Sequence, residues 1–145
     1  MPPNSGISPT SVLFIDDSKG QRAYWADQLK SRSSAYEILE ASDGESGLRL
    51  YRSRQIDCVV FELILPDQSG FEVLLDLVPV PSRPRVAAIV LTEIPHPSVW
   101  GLTLQNGAYA CLCKHHATGE DLANAIQRAI AFVAQVPKKG LDQPI

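Results

Sequence analysis

The sequence has no apolar run approaching 18 residues, so no segment is long enough to cross a bilayer as a helix. The chain starts with MPPNSG, which contains neither a basic region nor an apolar core and does not predict a secretory signal. Its three cysteines are an odd number without the spacing of a disulfide framework, which favours a reducing, cytoplasmic setting. There is no basic stripe, and 13 Lys+Arg against 16 Asp+Glu give a net charge of −3. We therefore expect neither a membrane protein nor a nucleic-acid-binding protein.

The composition is that of one globular domain. The chain has 145 residues, of which 45% are apolar and 20% are charged, and this is enough to bury a core without disulfides. Proline, serine and glycine predict a flexible N-terminus over residues 1–10 and a C-terminal tail or linker over residues 136–145. The folded domain is expected over residues 11–135, either standing alone or as part of a longer protein.

Short apolar runs alternate with amphipathic segments along this domain. The runs predict buried strands over residues 12–15, 36–39, 56–61, 86–91 and 109–113. The segments that follow predict helices beginning near residues 19, 42, 71, 97 and 118. In the first helix, Ala23, Ala26, Leu29 and Trp25 are expected to face the core. In the second, Ser42 and Glu45 have the spacing of a capping box. Five strand–helix pairs predict an α/β fold, a doubly wound (βα)5 parallel sheet in a three-layer sandwich.

Polar residues follow four of the five predicted strands. Asp16 and Asp17 follow the first strand, Glu62 the third, Thr92 the fourth and Lys114 the fifth. The carboxyl ends of parallel strands meet at one edge of the sheet, where ligands bind. Neighbouring carboxylates repel, and oxygen ligands with room for water suit Mg²⁺. Each residue alone also has a plain explanation, as a helix cap, a strand threonine or a surface lysine.

The order and spacing of these residues resemble the receiver domain of two-component response regulators over about residues 11–135. The matching pieces are residues 12–18, 41–44, 61–70, 91–92, 107–108 and 112–114. The resemblance implies a flavodoxin-like five-stranded sheet and a signalling role rather than an enzymatic one. It also implies a Mg²⁺ pocket made by Asp16, Asp17, the residue at position 62 and the backbone carbonyl of Ile64. Thr92 matches the switch hydroxyl of the family, and Lys114 matches its lysine.

The phosphoacceptor position is the main departure from the family. The family has an aspartate four residues before the proline of this turn, and counting back from Pro66 gives Glu62. A glutamate carboxylate lies one methylene further out, roughly 1.5 Å. Because in-line attack tolerates little misplacement, an error of about 1 Å can cost on the order of 100-fold in rate.

Three other positions depart from the family. Glu93 stands where the family has a small residue, and it is expected to narrow the pocket and repel a phosphoryl group. His115 replaces the usual proline after Lys114. Cys111 stands where many members carry a rotating aromatic ring, so the usual hydroxyl–aromatic coupling has no obvious partner.

These departures leave three hypotheses. The first is a pseudo-receiver, a phosphorylation-independent protein–protein interaction module in which Glu62 reaches towards Thr92 and Lys114 and Mg²⁺ binding is weak or lost. The second is an active receiver phosphorylated on Glu62 with Mg²⁺, alone or within a longer hybrid histidine kinase or regulator. The third is a soft-metal site made from Cys111, Cys113, His115 and His116.

The expected partner is another protein, either a histidine kinase or an output domain. In the family, the fourth helix, fifth strand and fifth helix form a docking and dimer surface, so a homodimer through these elements is also expected. Trp100 lies in the predicted fourth helix, and tryptophan is enriched at interaction hot spots.

Overall fold

Five strands and five helices alternate along residues 8–137, the part of the chain that the computed structural model describes. In chain order they are β1 (Thr10–Ile15), α1 (Lys19–Lys30), β2 (Tyr36–Ala41), α2 (Gly44–Ser53), β3 (Cys58–Phe61), α3 (Gly70–Leu77), β4 (Ala87–Thr92), α4 (Pro97–Gln105), β5 (Ala110–Cys113) and α5 (Gly119–Ala134). The strands are all parallel, in the order β2-β1-β3-β4-β5. The predicted doubly wound α/β fold is confirmed.

Helices cover both faces of the sheet and enclose two apolar cores. Alternate residues of β1 show this, since Val12 and Phe14 face the α1 and α5 side while Leu13 and Ile15 face α2 and α3. A strand that is buried on both faces has apolar residues at consecutive positions, which explains the continuous apolar runs in the sequence. Burying one large apolar side chain contributes about 1.5–3 kcal/mol to the free energy of unfolding. The two cores therefore hold the strands, and the residues at their carboxyl ends, in place.

The first strand begins earlier than predicted. Thr10 lies in β1, where its N–H donates to the carbonyl of Ala35 at 2.8 Å, so the prediction of a flexible segment through residue 10 is wrong at this position. Residues 1–7 and 138–145, which contain most of the predicted flexible N-terminus and C-terminal tail, lie outside the described residues.

Two predicted helix details are also wrong. Ala23 is exposed, because Trp25, Ala26 and Leu29 form the buried face of α1. Asp43 rather than Ser42 caps α2, because it directly precedes the first helical residue, and its carboxylate accepts the Ser46 N–H at 2.7 Å. Within residues 8–137, no helix combines the length and hydropathy that crossing a bilayer requires.

Candidate functional site

Four of the predicted residues meet at the carboxyl edge of the sheet. Asp16 follows β1, Glu62 follows β3, Thr92 ends β4 and Lys114 follows β5. The ammonium group of Lys114 lies 2.6 Å from Asp16 Oδ2 and 3.1 Å from Glu62 Oε1. Asp16, Glu62 and Thr92 are buried. Strand topology therefore brings together groups that lie up to 98 residues apart in the chain.

Both carboxylate oxygens of Glu62 are hydrogen-bonded within the domain. Oε2 accepts the hydroxyl of Thr92 at 2.5 Å and the N–H of Leu63 at 2.7 Å. Oε1 accepts the N–H of Glu93 at 3.3 Å and faces Lys114. An unpaired carboxylate would be costly to bury, so these donors explain how Glu62 is held at 5% exposure.

Lys114 is the cation of this site. Burial alone would lower its pKa, but the hydrogen bond and charge of Asp16, followed by the charge of Glu62, outweigh burial and raise the pKa above its ordinary value. The ammonium is therefore charged at neutral pH, between two carboxyl groups that would otherwise repel each other.

The predicted Mg²⁺ ligands do not converge in this arrangement. Asp16 Oδ1 accepts the Ser18 N–H at 2.9 Å and Oδ2 is bonded to Lys114, while Asp17 is exposed. Within residues 8–137, no three Asp, Glu, His or Cys side chains form a group that could hold a metal. In this arrangement the ammonium of Lys114 contacts both Asp16 and Glu62, so Mg²⁺ would have to compete with it for their oxygens.

The remaining predicted residues lie around this cluster. Glu93 and His115 are exposed and line, with Lys114 and Trp25, a cavity of about 230 Å³. Cys111 is half-buried against the core, and burial raises the pKa of its thiol. Within residues 8–137, Cys111, Cys113, His115 and His116 form no group that could hold a metal ion, so the structure does not support the soft-metal hypothesis.

Arg22 supports the site and was missed by the sequence analysis. Its guanidinium donates to the backbone carbonyl of Asp16 at 2.5 Å and to Glu40 Oε1 at 2.8 Å. Because these partners lie after β1 and in β2, the arginine ties α1 to two strand ends. In the sequence, the only indication of this role was the position of Arg22, six residues after Asp16 and one turn into α1.

The loop from Glu62 to α3 is held at two points. The carboxylate of Asp67, also missed from the sequence, accepts the N–H groups of Gly44 and Glu45 at 2.9 Å each, and these two bonds lower its pKa. At the other end, a Cβ on Gly70 would lie 2.6 Å from the carbonyl oxygen of Glu62. Glycine is therefore needed where α3 meets β3.

Comparison with known proteins identifies the family. Residues 12–127 match the family model described as the response regulator receiver domain. The chain belongs to this family. Among solved structures, a receiver domain from Clostridium thermocellum is 29% identical with a TM-score of 0.74, covering 91% of this chain and 98% of that one. A CheY-like receiver domain from Methanospirillum hungatei JF-1 is 23% identical with a TM-score of 0.76, covering 88% and 98%, and supports the fold.

Curated relatives place the receiver domain within larger proteins. The gliding motility regulatory protein of Myxococcus xanthus is 31% identical over 117 residues, which is 81% of this chain and 15% of that protein. The transcriptional regulatory protein LiaR of Bacillus subtilis is 30% identical over 118 residues, which is 81% of this chain and 54% of LiaR. The chain therefore spans about half of LiaR and less of the other. The receiver domain and its place in two-component signalling are thereby confirmed.

Proposed function

We propose that this receiver domain is a phosphorylation-independent protein–protein interaction module, a pseudo-receiver with Glu62 at the phosphoacceptor position. The observation that carries the proposal is the bonding of Glu62. Its carboxylate already contacts Thr92 and Lys114, the two residues that match the family's switch hydroxyl and lysine. A fixed carboxylate therefore stands where a transient phosphoryl group is expected in the family.

The same contacts oppose phosphorylation. An acyl phosphate forms when a carboxylate oxygen attacks the phosphorus of a donor and the donor's leaving group departs. Both oxygens of Glu62 are bonded and buried, so attack requires breaking contacts with Thr92 or Lys114. Glutamate also places the nucleophile one methylene away from the aspartate position, a misplacement large enough to slow an in-line reaction on the order of 100-fold.

Mg²⁺ binding is weak or lost in this proposal. The ammonium of Lys114 already contacts the carboxylates of both Asp16 and Glu62. A cation would have to compete with the ammonium for Asp16 Oδ2. The function proposed here uses no step in which a metal takes part.

Glu62 copies a phosphoryl group only in part. A phosphoryl group has a charge of about −1.5 to −2 and three acceptor oxygens, whereas one carboxylate has two oxygens and at most one charge. We therefore do not assign the domain to a permanently active state. Its signalling state is set by the partner that binds it.

The partner surface is formed by α4, β5 and α5. Leu102, Leu104 and Phe132 are exposed there, and the ring of Phe132 lies 5.6 Å from that of Tyr109. A groove of about 350 Å³ passes these rings at the amino ends of β4 and β5. Exposed aromatic and leucine side chains suit a protein interface. The partner is a histidine kinase, an output domain or a second copy of the domain, in a cytoplasmic setting.

Intact mass after incubation with Mg²⁺ and phosphoramidate tests the proposal. We expect no phosphoryl adduct on the native domain. Glu62→Asp shortens the side chain, and Glu62→Gln is the control that removes the nucleophile. An adduct on Glu62→Asp alone would mean a pocket disabled by one methylene, and no adduct on either protein would mean that Glu93 and the other departures close the pocket as well. An adduct mapped to Glu62 in the native domain would overturn the proposal and establish an active phosphoacceptor.

A further inference from the structure

Trp100 is bonded to the loop that follows the site. Its indole N–H donates to the carbonyl oxygen of Ile94 at 2.8 Å, across the loop between β4 and α4. The hydroxyl of Thr103, which is fully buried, donates to the Trp100 carbonyl at 2.7 Å one turn further along α4. The half-buried indole therefore joins α4 to the loop, and the backbone of Trp100 is bonded within the helix.

The same loop is bonded to Glu62 at its other end. The hydroxyl of Thr92 donates to Glu62 Oε2 and accepts the N–H of Ile94 at 3.2 Å. The N–H of Glu93 donates to Glu62 Oε1. Both backbone polar groups of Ile94 are thus used, its N–H towards the site and its carbonyl towards Trp100. A continuous chain of hydrogen bonds joins Glu62, Thr92, Ile94 and Trp100.

No aromatic ring is available at position 111 to connect the site with α4. Cys111 is small and contacts Thr103. The indole of Trp100 contacts the loop from α4 itself. The connection therefore runs through a helix residue rather than through β5.

We propose that Trp100 is a positioning residue that couples the carboxylate of Glu62 to α4, and hence to the partner surface of α4, β5 and α5. The proposal rests on the proposed function in taking this surface as the interface. When the carboxylate at position 62 is removed, Thr92 loses its acceptor and the loop carbonyl shifts away from the indole. The loop that carries Ile94 then no longer holds α4 in its native orientation.

The indole N–H resonances in ¹⁵N-labelled protein test this coupling directly. The two tryptophans give two signals, which Trp100→Phe and Trp25→Phe assign. In Glu62→Ala we expect the Trp100 indole N–H to shift and to exchange with solvent roughly fivefold faster, the factor expected for one weakened hydrogen bond. Glu45→Ala, which removes an exposed carboxylate on α2, is the matched control and should leave the Trp100 signal unchanged.

Variants of Thr92 show whether the coupling runs through its hydroxyl. Thr92→Val should reproduce the effect of Glu62→Ala on Trp100, and the double variant should show no additional effect. Thr92→Ser keeps the hydroxyl and should retain the native Trp100 signal. The comparison of Thr92→Ser with Thr92→Val tests the coupling even if Glu62→Ala is too unstable to study. A Trp100 signal unchanged by Thr92→Val, or effects of Glu62→Ala and Thr92→Val that simply add, would overturn the coupling. No phosphodonor is used, so phosphorylation of the native domain would end the pseudo-receiver proposal without deciding this one.

Discussion

Lys114 and Asp16 form an ion pair of 2.6 Å, although 98 residues separate them in the chain and their side chains are only 6% and 11% exposed. Removing two charges from water is costly, so such a pair contributes little net stability compared with an apolar replacement of both partners. Loss of one partner is different, because it leaves the other charge buried without compensation. Loss of Lys114 is especially destabilising, since it leaves both Asp16 and Glu62 without their cation.

Replacing Lys114 with methionine should therefore destabilise the domain strongly. Lys114→Met keeps the length of the side chain and removes the ammonium, leaving Asp16 and Glu62 as neighbouring acids. We expect a loss of about 3–5 kcal/mol in the free energy of unfolding, measured by urea denaturation. Lys19→Met changes an exposed lysine and should stay within about 0.5 kcal/mol of the native value. Equal effects of the two substitutions would contradict a structural role for the Lys114 ion pairs.

Mg²⁺ should stabilise the Lys114→Met variant and leave the native domain unchanged. Without the ammonium, the oxygens of Asp16 and Glu62 become available to a cation. At a free Mg²⁺ concentration ten times the dissociation constant, binding to the folded variant adds about 1.4 kcal/mol. Urea denaturation with and without Mg²⁺ measures this, and Ca²⁺ serves as a comparison for size selectivity. If Mg²⁺ raises the stability of the native domain by as much, the proposed competition between Lys114 and the metal is wrong.

The stability difference between the native domain and Lys114→Met should narrow at alkaline pH. The pKa of Lys114 is raised in the folded state above its ordinary 10.5. The corresponding stabilisation is complete below the unfolded-state pKa and disappears as pH rises through the folded-state pKa. We expect a constant difference from pH 7 to about 9.5 and a decrease above about 10.5. Comparing the two proteins cancels the titration of the other lysines and the tyrosines, and a difference that grows above pH 10.5 would contradict the assigned sign.

The core and the main site residues could be predicted because they follow simple periodic rules. β1, β3 and β4 lie within the sheet and read as continuous apolar runs, and the carboxyl ends of parallel strands share one edge. That geometry placed Asp16, Glu62, Thr92 and Lys114 together. The edge strand β2 was predicted too short, because it continues through Glu40, whose charge is compensated by Arg22 from another element.

The parts that sequence reasoning missed depend on bonds between a side chain and a distant backbone. Asp67 reaches the amino end of α2, and Trp100 reaches the carbonyl of Ile94. No periodic pattern marks such contacts, since they depend on how loops lie against helices. The capping error at Ser42 has a related cause, because adjacent Ser and Asp residues both suit the position and the backbone conformation selects Asp43.

Gly70→Ala should disturb the site from the α3 side. A Cβ at this position would lie 2.6 Å from both the carbonyl oxygen of Glu62 and the Cα of Leu63, and backbone atoms cannot rotate away as a side chain can. Either α3 or the loop after β3 must move, which we expect to cost about 1–3 kcal/mol in the free energy of unfolding. The Leu63 and Glu62 amides, followed by ¹⁵N NMR, should shift.

Gly101→Ala provides the matched substitution within α4. Nothing lies within 4 Å of a Cβ at this position, so the added methyl group meets open space. Alanine in a helix interior is favoured over glycine by roughly 0.5–1 kcal/mol, so this variant should be more stable than the native domain. The opposite signs of the two changes in stability distinguish a steric effect at Gly70 from a general effect of removing glycine. If Gly70→Ala were also stabilising, the close packing of α3 against the Glu62 carbonyl could not be what holds the loop after β3 in place.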